Sequence, residues 1–257
     1  MPTKEETILK IKERLAQRFS ILDTLTKECL NGNSRSLIVS GPAGLGKSYT
    51  VEKRLESWDS TGENYSIVKG YVRPTGLFRI LYKHRCKNQV IVFDDSDSLF
   101  YDDVSLNLLK SVCDTTEKRV VSWLSKARFK DDEDEIIPQT FEFEGSIIFI
   151  TNLDFDEIVN KGNKLAPHLQ ALISRSHYID LSMKTKTDFV VRIQQVIEQG
   201  LLKSLSKDER KDVFNFIVQN CDKLREISLR MALKIGSIRK SHSADWLQIA
   251  KVTCCKE

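Results

Sequence analysis

The segment Gly41-Pro42-Ala43-Gly44-Leu45-Gly46-Lys47-Ser48 constrains this chain more than any other feature. It fits G-x-x-x-x-G-K-[ST] in full, follows the apolar run Leu37-Ile38-Val39, and opens a segment of helical character from Lys47 to Trp58. Glycines let a backbone turn its amides around an anion with no side chain in the way. Together with the N-terminus of the following helix, those amides make a concave, positively polarised cradle. Strand, cradle and helix in succession are the opening unit of a layered α/β structure.

The rest of the pattern extends that unit. Apolar runs predict strands over 36–40, 65–69, 90–93, 146–150 and 178–181, with helices over 77–85, 103–114 and 167–174 between them. Strands that are apolar throughout and alternate with helices belong to a parallel sheet covered on both faces. The expected fold class is therefore α/β, with a five-stranded parallel P-loop core. A helix over 3–30 precedes it, ended by Asn31-Gly32-Asn33. After Leu181 only helical periodicity remains, over 185–203, 207–220, 223–240 and 244–253. The chain divides into a helical segment (1–30), an α/β nucleotide-binding domain (31–183) and a C-terminal helical lid (184–257).

Phosphate chemistry assigns the loop residues their roles. Gly41, Pro42, Ala43, Gly44, Leu45 and Gly46 form the cradle and lead into Lys47, Ser48 and Tyr49 on the first helical turn. Lys47 is expected to pair with the β and γ phosphates of ATP, and Ser48 to ligate Mg²⁺. Such a site needs a carboxylate on a neighbouring strand. Asp94, after Val90-Ile91-Val92-Phe93, is the expected second metal ligand. The residue that positions the attacking water is Asp95 or Asp97. Asp97 has an alternative as the cap of the following helix.

These motifs resemble those of AAA+ ATPases, over about residues 30–240. In that family the fourth strand ends in a polar residue beside the water, which matches Asn152. Leu172-Ile173-Ser174-Arg175 resembles the element whose arginine reaches the neighbouring subunit's nucleotide. Ile227-Ser228-Leu229-Arg230 matches the place of a lid arginine facing the γ-phosphate. The resemblance thus implies catalytic roles for Lys47, Asp95, Asn152, Arg175 and Arg230, with ATP and Mg²⁺ as cofactors and a homo-oligomer, a hexameric ring, as the working form. Arg175 as a helix C-terminal cap and Arg230 as a solvated surface charge are the plainer alternatives.

Between the third and fourth core strands lies an insert of about 119–145. Its strand-like flanks, 120–124 and 140–143, predict a β-hairpin with a charged tip. Its position resembles the hairpin that one AAA+ branch carries before the fourth strand and points into the pore. Lys126, Arg128 and Lys130 suit phosphates, and Phe129 suits stacking on a base; alternatively the cations pair with the acidic run Asp131 to Glu135. A second pore candidate is Gly70-Tyr71-Val72-Arg73, in which Tyr71 suits a peptide and Arg73 a phosphate, unless Tyr71 and Val72 only prolong the strand. The chain resembles most the small single-module AAA+ ATPases of bacteriophages. That resemblance implies an ATPase that moves or remodels a macromolecule, first of all nucleic acid, in phage replication, recombination or packaging. DNA and a phage or host replication protein are the implied partners. Protein remodelling, or an ATP-switched helicase loader or scaffold with slow hydrolysis, stands as the alternative.

Composition narrows the field further. Forty Lys and Arg against 36 Asp and Glu leave a net charge of +4 over 257 residues, which excludes a polycation that binds by bulk charge. All of that excess lies in residues 222–257, with eight basic and four acidic side chains. The six cysteines include no C-x-x-C pair, so neither a zinc nor a redox spacing is present. The charged stretch from Lys4 to Lys12 is unlike a signal peptide, and no apolar run is long enough to span a membrane. The expected location is the cytoplasm, that of the host cell if a phage encodes the chain.

Overall fold

The computed structural model describes residues 4–126, 128–242 and 244–256, with side chains from Thr7 onward. Two compact units emerge. One comprises Phe19–Gly41 and Lys47–Ser182; the other comprises the chain up to Arg18, Pro42–Gly46 and the segment from Met183. The helix α1 (Lys4–Leu30) contributes to both.

The first unit is a five-stranded parallel sheet in the order β2-β3-β6-β1-β7. Its strands are β1 (Ser36–Ser40), β2 (Tyr65–Lys69), β3 (Val90–Asp94), β6 (Ser146–Thr151) and β7 (His177–Asp180). Every position of β1, β3 and β6 is buried, as expected for strands covered on both faces. Register aligns Ser40 with Thr151, Asp94 with Ile150, and Lys69 with Asp94. The carboxyl ends of four strands therefore meet at one edge, where open α/β sheets hold their ligands.

Helices α2 (Lys47–Trp58), α3 (Pro74–Lys83), α4 (Asp103–Val112) and α6 (Ala166–Ile173) accompany the sheet. Pro74, whose fixed φ suits a first helical position, starts α3 three residues earlier than periodicity predicts. Helix α4 is capped by Asp102, whose side chain accepts from the Ser105 amide, so the capping role considered for Asp97 falls to Asp102. Helix α5 (Phe155–Lys161) has no counterpart among the predicted elements. Asp154 caps it, and Gly162 at φ 65° ends it after two turns.

The insert forms the expected hairpin of β4 (Val120–Ser122) and β5 (Thr140–Glu142), paired antiparallel. Val121 and Phe141 face inward and are buried. Phe141 packs against Phe78 and Tyr82 of α3, with ring centroids 5.3 Å apart in both pairs. The buried Arg119 ties down the base, donating to the carbonyls of Val112 (2.8 Å) and Gly145 (2.9 Å).

In the second unit, α7 (Lys186–Glu198), α8 (Lys207–Gln219), α9 (Leu229–Ser241) and α10 (Trp246–Cys254) share a core that includes Ile193, Val213, Phe216, Ile235 and Trp246. Capping boxes Thr185/Asp188 and Ser206/Glu209 set the starts of α7 and α8. Two boundaries differ from periodicity. Gly200, at φ 104°, follows the end of α7 five residues short of the predicted 203. Helix α9 begins at Leu229 instead of 223, because Ser228 caps it and Leu224 bridges to Cys255. Arg14 of α1 pairs with the buried Asp188 at 2.9 Å in the same unit. Among the described residues all six cysteines are free thiols, and no helix is long and apolar enough to cross a membrane.

Candidate nucleotide site

The site is built where β1, β3 and β6 end. Gly44 and Gly46 stand at φ 72° and 92°, a region most side chains avoid. Helix α2 then begins at Lys47, and its first-turn N–H groups have no intrahelical acceptors. Lys47 is 5% exposed. Its Nζ donates to the Gly41 carbonyl at 2.5 Å and to Asn152 Oδ1 at 3.0 Å. Asn152, just past β6, donates in turn from Nδ2 to Asp95 Oδ1 at 2.8 Å. One amide side chain thus bridges the phosphate lysine and a carboxylate.

Asp95 holds a left-handed φ of 53°, uncommon outside glycine, with its N–H donated to the Ile150 carbonyl at 2.9 Å. This backbone turn separates two neighbouring carboxylates. Asp95 is exposed and faces Asn152, whereas Asp94 is buried and accepts from Ser48 Oγ at 2.8 Å. Asp97 is half-buried in the 3-10 turn Asp97–Tyr101, and its carboxylate accepts from the Thr151 hydroxyl at 2.6 Å. Burial pushes the Asp97 carboxyl pKa up, partly offset by that bond. The two candidates for water positioning are therefore unlike: Asp95 is open, and Asp97 is engaged.

Ser48 and Asp94 fit Mg²⁺. Both offer hard oxygens, and Mg²⁺ takes few protein ligands alongside water and phosphate. Among the described residues no three acidic, His or Cys side chains converge to cage a metal, so phosphate oxygens would have to complete the shell. Tyr49 is 65% exposed, so its contribution to the first turn is its backbone N–H.

The remaining predicted residues take no part in this network of hydrogen bonds among the described contacts. Arg175 follows α6 and precedes β7. Its backbone carbonyl accepts from Ser36 Oγ at the start of β1. It is therefore at the end of the sheet opposite Lys47 and Asp94, and its guanidinium donates to the Ala171 carbonyl at 2.8 Å and faces Asp114 at 3.5 Å. There it caps the end of α6. Arg230 is exposed in the first turn of α9. Tyr71 does not prolong β2: Gly70 at φ 87° turns the chain, and Tyr71 is 78% exposed. Arg73 is exposed at the N-cap of α3. Phe129 differs from the base-stacking expectation, because its ring packs on Trp123 (5.3 Å) and Phe78 (5.8 Å). Lys130 pairs with Asp134 at 3.3 Å, which realises part of the self-pairing alternative, while Lys126 and Arg128 are exposed.

Three features escape a reading of the sequence alone. Lys69, ending β2, contacts Asp94 and Glu52. Arg192 of α7 is buried and donates from Nε to the Leu45 carbonyl at 3.2 Å; burial pushes its pKa down to about 10. A charge inside the apolar stripe of Val191, Ile193 and Val196 is the available signal for it. The Leu229 amide also donates to the Gly44 carbonyl at 2.8 Å. Residues 42–46 are thus held from their outer, carbonyl side by α7 and α9 of their own unit.

That grip makes Gly44 sensitive. A Cβ there would lie 2.6 Å from Ser228 Cβ, at φ 72°. Gly44→Ala is expected to cost about 2–4 kcal/mol from dihedral strain plus overpacking, read as a lower Tm. Adding Ser228→Gly removes the obstacle and forfeits only a few tenths of a kcal/mol as a cap. The double variant should regain part of the Tm; no recovery would exclude Ser228 as the obstacle.

No family model matches the sequence. In structure the chain is similar to a mutant form of Thermotoga maritima RuvB, with a TM-score of 0.52 at 16% identity, covering 94% of this chain and 69% of that one. A second mutant form of the same protein gives a TM-score of 0.52 at 16% identity, covering 93% and 68%. The likeness is one of fold, an α/β core with a five-stranded parallel sheet. The chain is 37% identical over 250 residues, 96% of its length and 76% of the relative's, to the uncharacterized 36.7 kDa protein of the nrdC–mobD intergenic region of Enterobacteria phage T4. It belongs to that phage protein's family.

Proposed function

We propose that the protein is an oligomeric Mg²⁺-dependent ATPase that acts on nucleic acid. The observation that carries the ATPase reading is the Lys47–Asn152–Asp95 chain of hydrogen bonds beside the Ser48–Asp94 pair. Lys47 and the loop amides bind and orient the β and γ phosphates. Asn152 fixes a water against Asp95, which takes the proton as the water oxygen bonds to the γ-phosphorus and the β–γ bridging oxygen leaves with ADP. Ser48 and Asp94 would hold Mg²⁺, which would supply positive charge against the phosphate oxygens. Arg175, at the far end of the sheet from Lys47 and Asp94, serves a neighbouring subunit in a ring, which we take as hexameric, once it leaves Asp114.

For nucleic acid, the support is the exposed pair Lys126 and Arg128 at the hairpin tip and the basic excess of residues 222–257. The expected result is an ATPase rate raised severalfold by DNA and falling as salt rises, because phosphate contacts release counterions. Reversing both charges (K126E with R128E) should remove the stimulation and leave the basal rate unchanged. The exposed Tyr71 supports a second reading, protein remodelling. Stimulation by unfolded protein and not by DNA, lost in Tyr71→Ala, would replace the first reading with the second. Turnover that stays slow under both conditions favours an ATP-switched loader or scaffold.

A further inference from the structure

Glu52, Lys69 and Asp94 form a line that the ATPase reading leaves unused. Lys69 ends β2 in register with Asp94, and neighbouring strands lie about 4.8 Å apart. Glu52 lies one turn after Ser48 on α2, on the same helix face. The two oxygens of Asp94 are divided: Oδ1 accepts from Ser48 Oγ at 2.8 Å, and Oδ2 faces Lys69 Nζ at 3.2 Å. The same Nζ donates to Glu52 Oε1 at 2.6 Å. The Asp94 side chain is 6% exposed, so its charge needs a counter-ion, whereas that of Lys69 is 57% exposed and free to swing.

We propose that Lys69 is an internal competitor of Mg²⁺ at Asp94, and that Glu52 receives its ammonium group when the metal binds. The proposal rests on the Mg-ATP reading of the site and adds residues that set its metal affinity. Two cations cannot share one buried carboxylate at contact distance without mutual repulsion. Mg²⁺ therefore binds against the Lys69–Asp94 contact. The displaced ammonium keeps the shorter of its two bonds, the one to Glu52. The pair to Glu52 holds one end of a balance, and the pair to Asp94 the other.

The two partners then have opposite effects. Removing the competing cation tightens Mg²⁺ binding. Removing its alternative acceptor leaves Lys69 on Asp94 and weakens Mg²⁺ binding. Fluorescence titration of an ATP analogue with Mg²⁺, starting from EDTA, reads the metal midpoint without requiring turnover. Lys69→Met is expected to lower the midpoint about fivefold, the scale of one half-exposed ion pair. Lys69→Arg should keep it near the wild-type value, and Glu52→Gln should raise it about threefold. A Lys69→Met midpoint equal to or above wild type overturns the proposal, as does Glu52→Gln shifting in the same direction as Lys69→Met. If the wild-type protein fails to bind the analogue at every Mg²⁺ concentration, the nucleotide reading itself falls.

Discussion

Lys47→Ala is expected to lower ATP affinity about a hundredfold or more while the protein stays folded. The side chain is buried, and its ammonium spans the Gly41 carbonyl and Asn152 Oδ1. It thereby joins the ends of β1 and β6. Losing a desolvated charge-assisted contact costs about 3–5 kcal/mol of binding. Stability should move much less. Alanine leaves two acceptors without a donor, at about 1–3 kcal/mol each, but it also relieves the desolvation of a buried ammonium. Lys47→Arg retains the charge and should nonetheless bind poorly, because a planar guanidinium does not replace a compact ammonium inside a closed loop. Calorimetric titration with ATP alongside a thermal melt separates the two effects. Wild-type affinity in Lys47→Ala would remove the phosphate assignment.

The parts of this site that are local in sequence are legible from it. The loop, its strand and its helix lie within about two dozen residues, and the carboxylates directly follow an apolar strand. Asn152 is legible because it stands just past another such strand. Lys69 is not, since its meaning depends on β2 lying next to β3, and strand order is not written in any single segment. Arg192 is hidden for the same reason: the Leu45 carbonyl it contacts is 147 residues away in sequence. Phe129 shows the reverse case. Its cationic neighbours suggest a binding tip, but hairpin pairing brings Ile137 N onto the Phe129 carbonyl at 2.8 Å, and the ring docks on Trp123 and Phe78. Packing a half-buried aromatic ring on two others sets its place despite the polarity of its neighbours. Periodicity also carries α9 too far toward the N-terminus, because the Ser228 cap competes with further helical turns only when the chain must turn there.

Asp95→Asn should separate binding from hydrolysis. Nucleotide affinity is expected to stay within about threefold, with turnover reduced by about 10²–10⁴, the usual worth of a general base. The backbone bond from Asp95 N–H to Ile150 and the left-handed turn do not depend on the carboxylate, so the residue stays in place. An amide oxygen still accepts from Asn152 Nδ2, which preserves the bridge toward Lys47. Only the capacity to take a proton is lost. Asp97→Asn is the necessary companion. Its carboxylate accepts from Thr151, whose own hydroxyl oxygen accepts from the Leu153 amide at 3.0 Å; an amide oxygen can accept the same bond, so the variant should keep the end of β6 in place with little change in Tm. Its effect on turnover should be smaller than that of Asp95→Asn. Full turnover in Asp95→Asn, with loss in Asp97→Asn, would transfer the base to Asp97. It would also mean that burial raises the pKa of Asp97 for catalysis and not merely through packing.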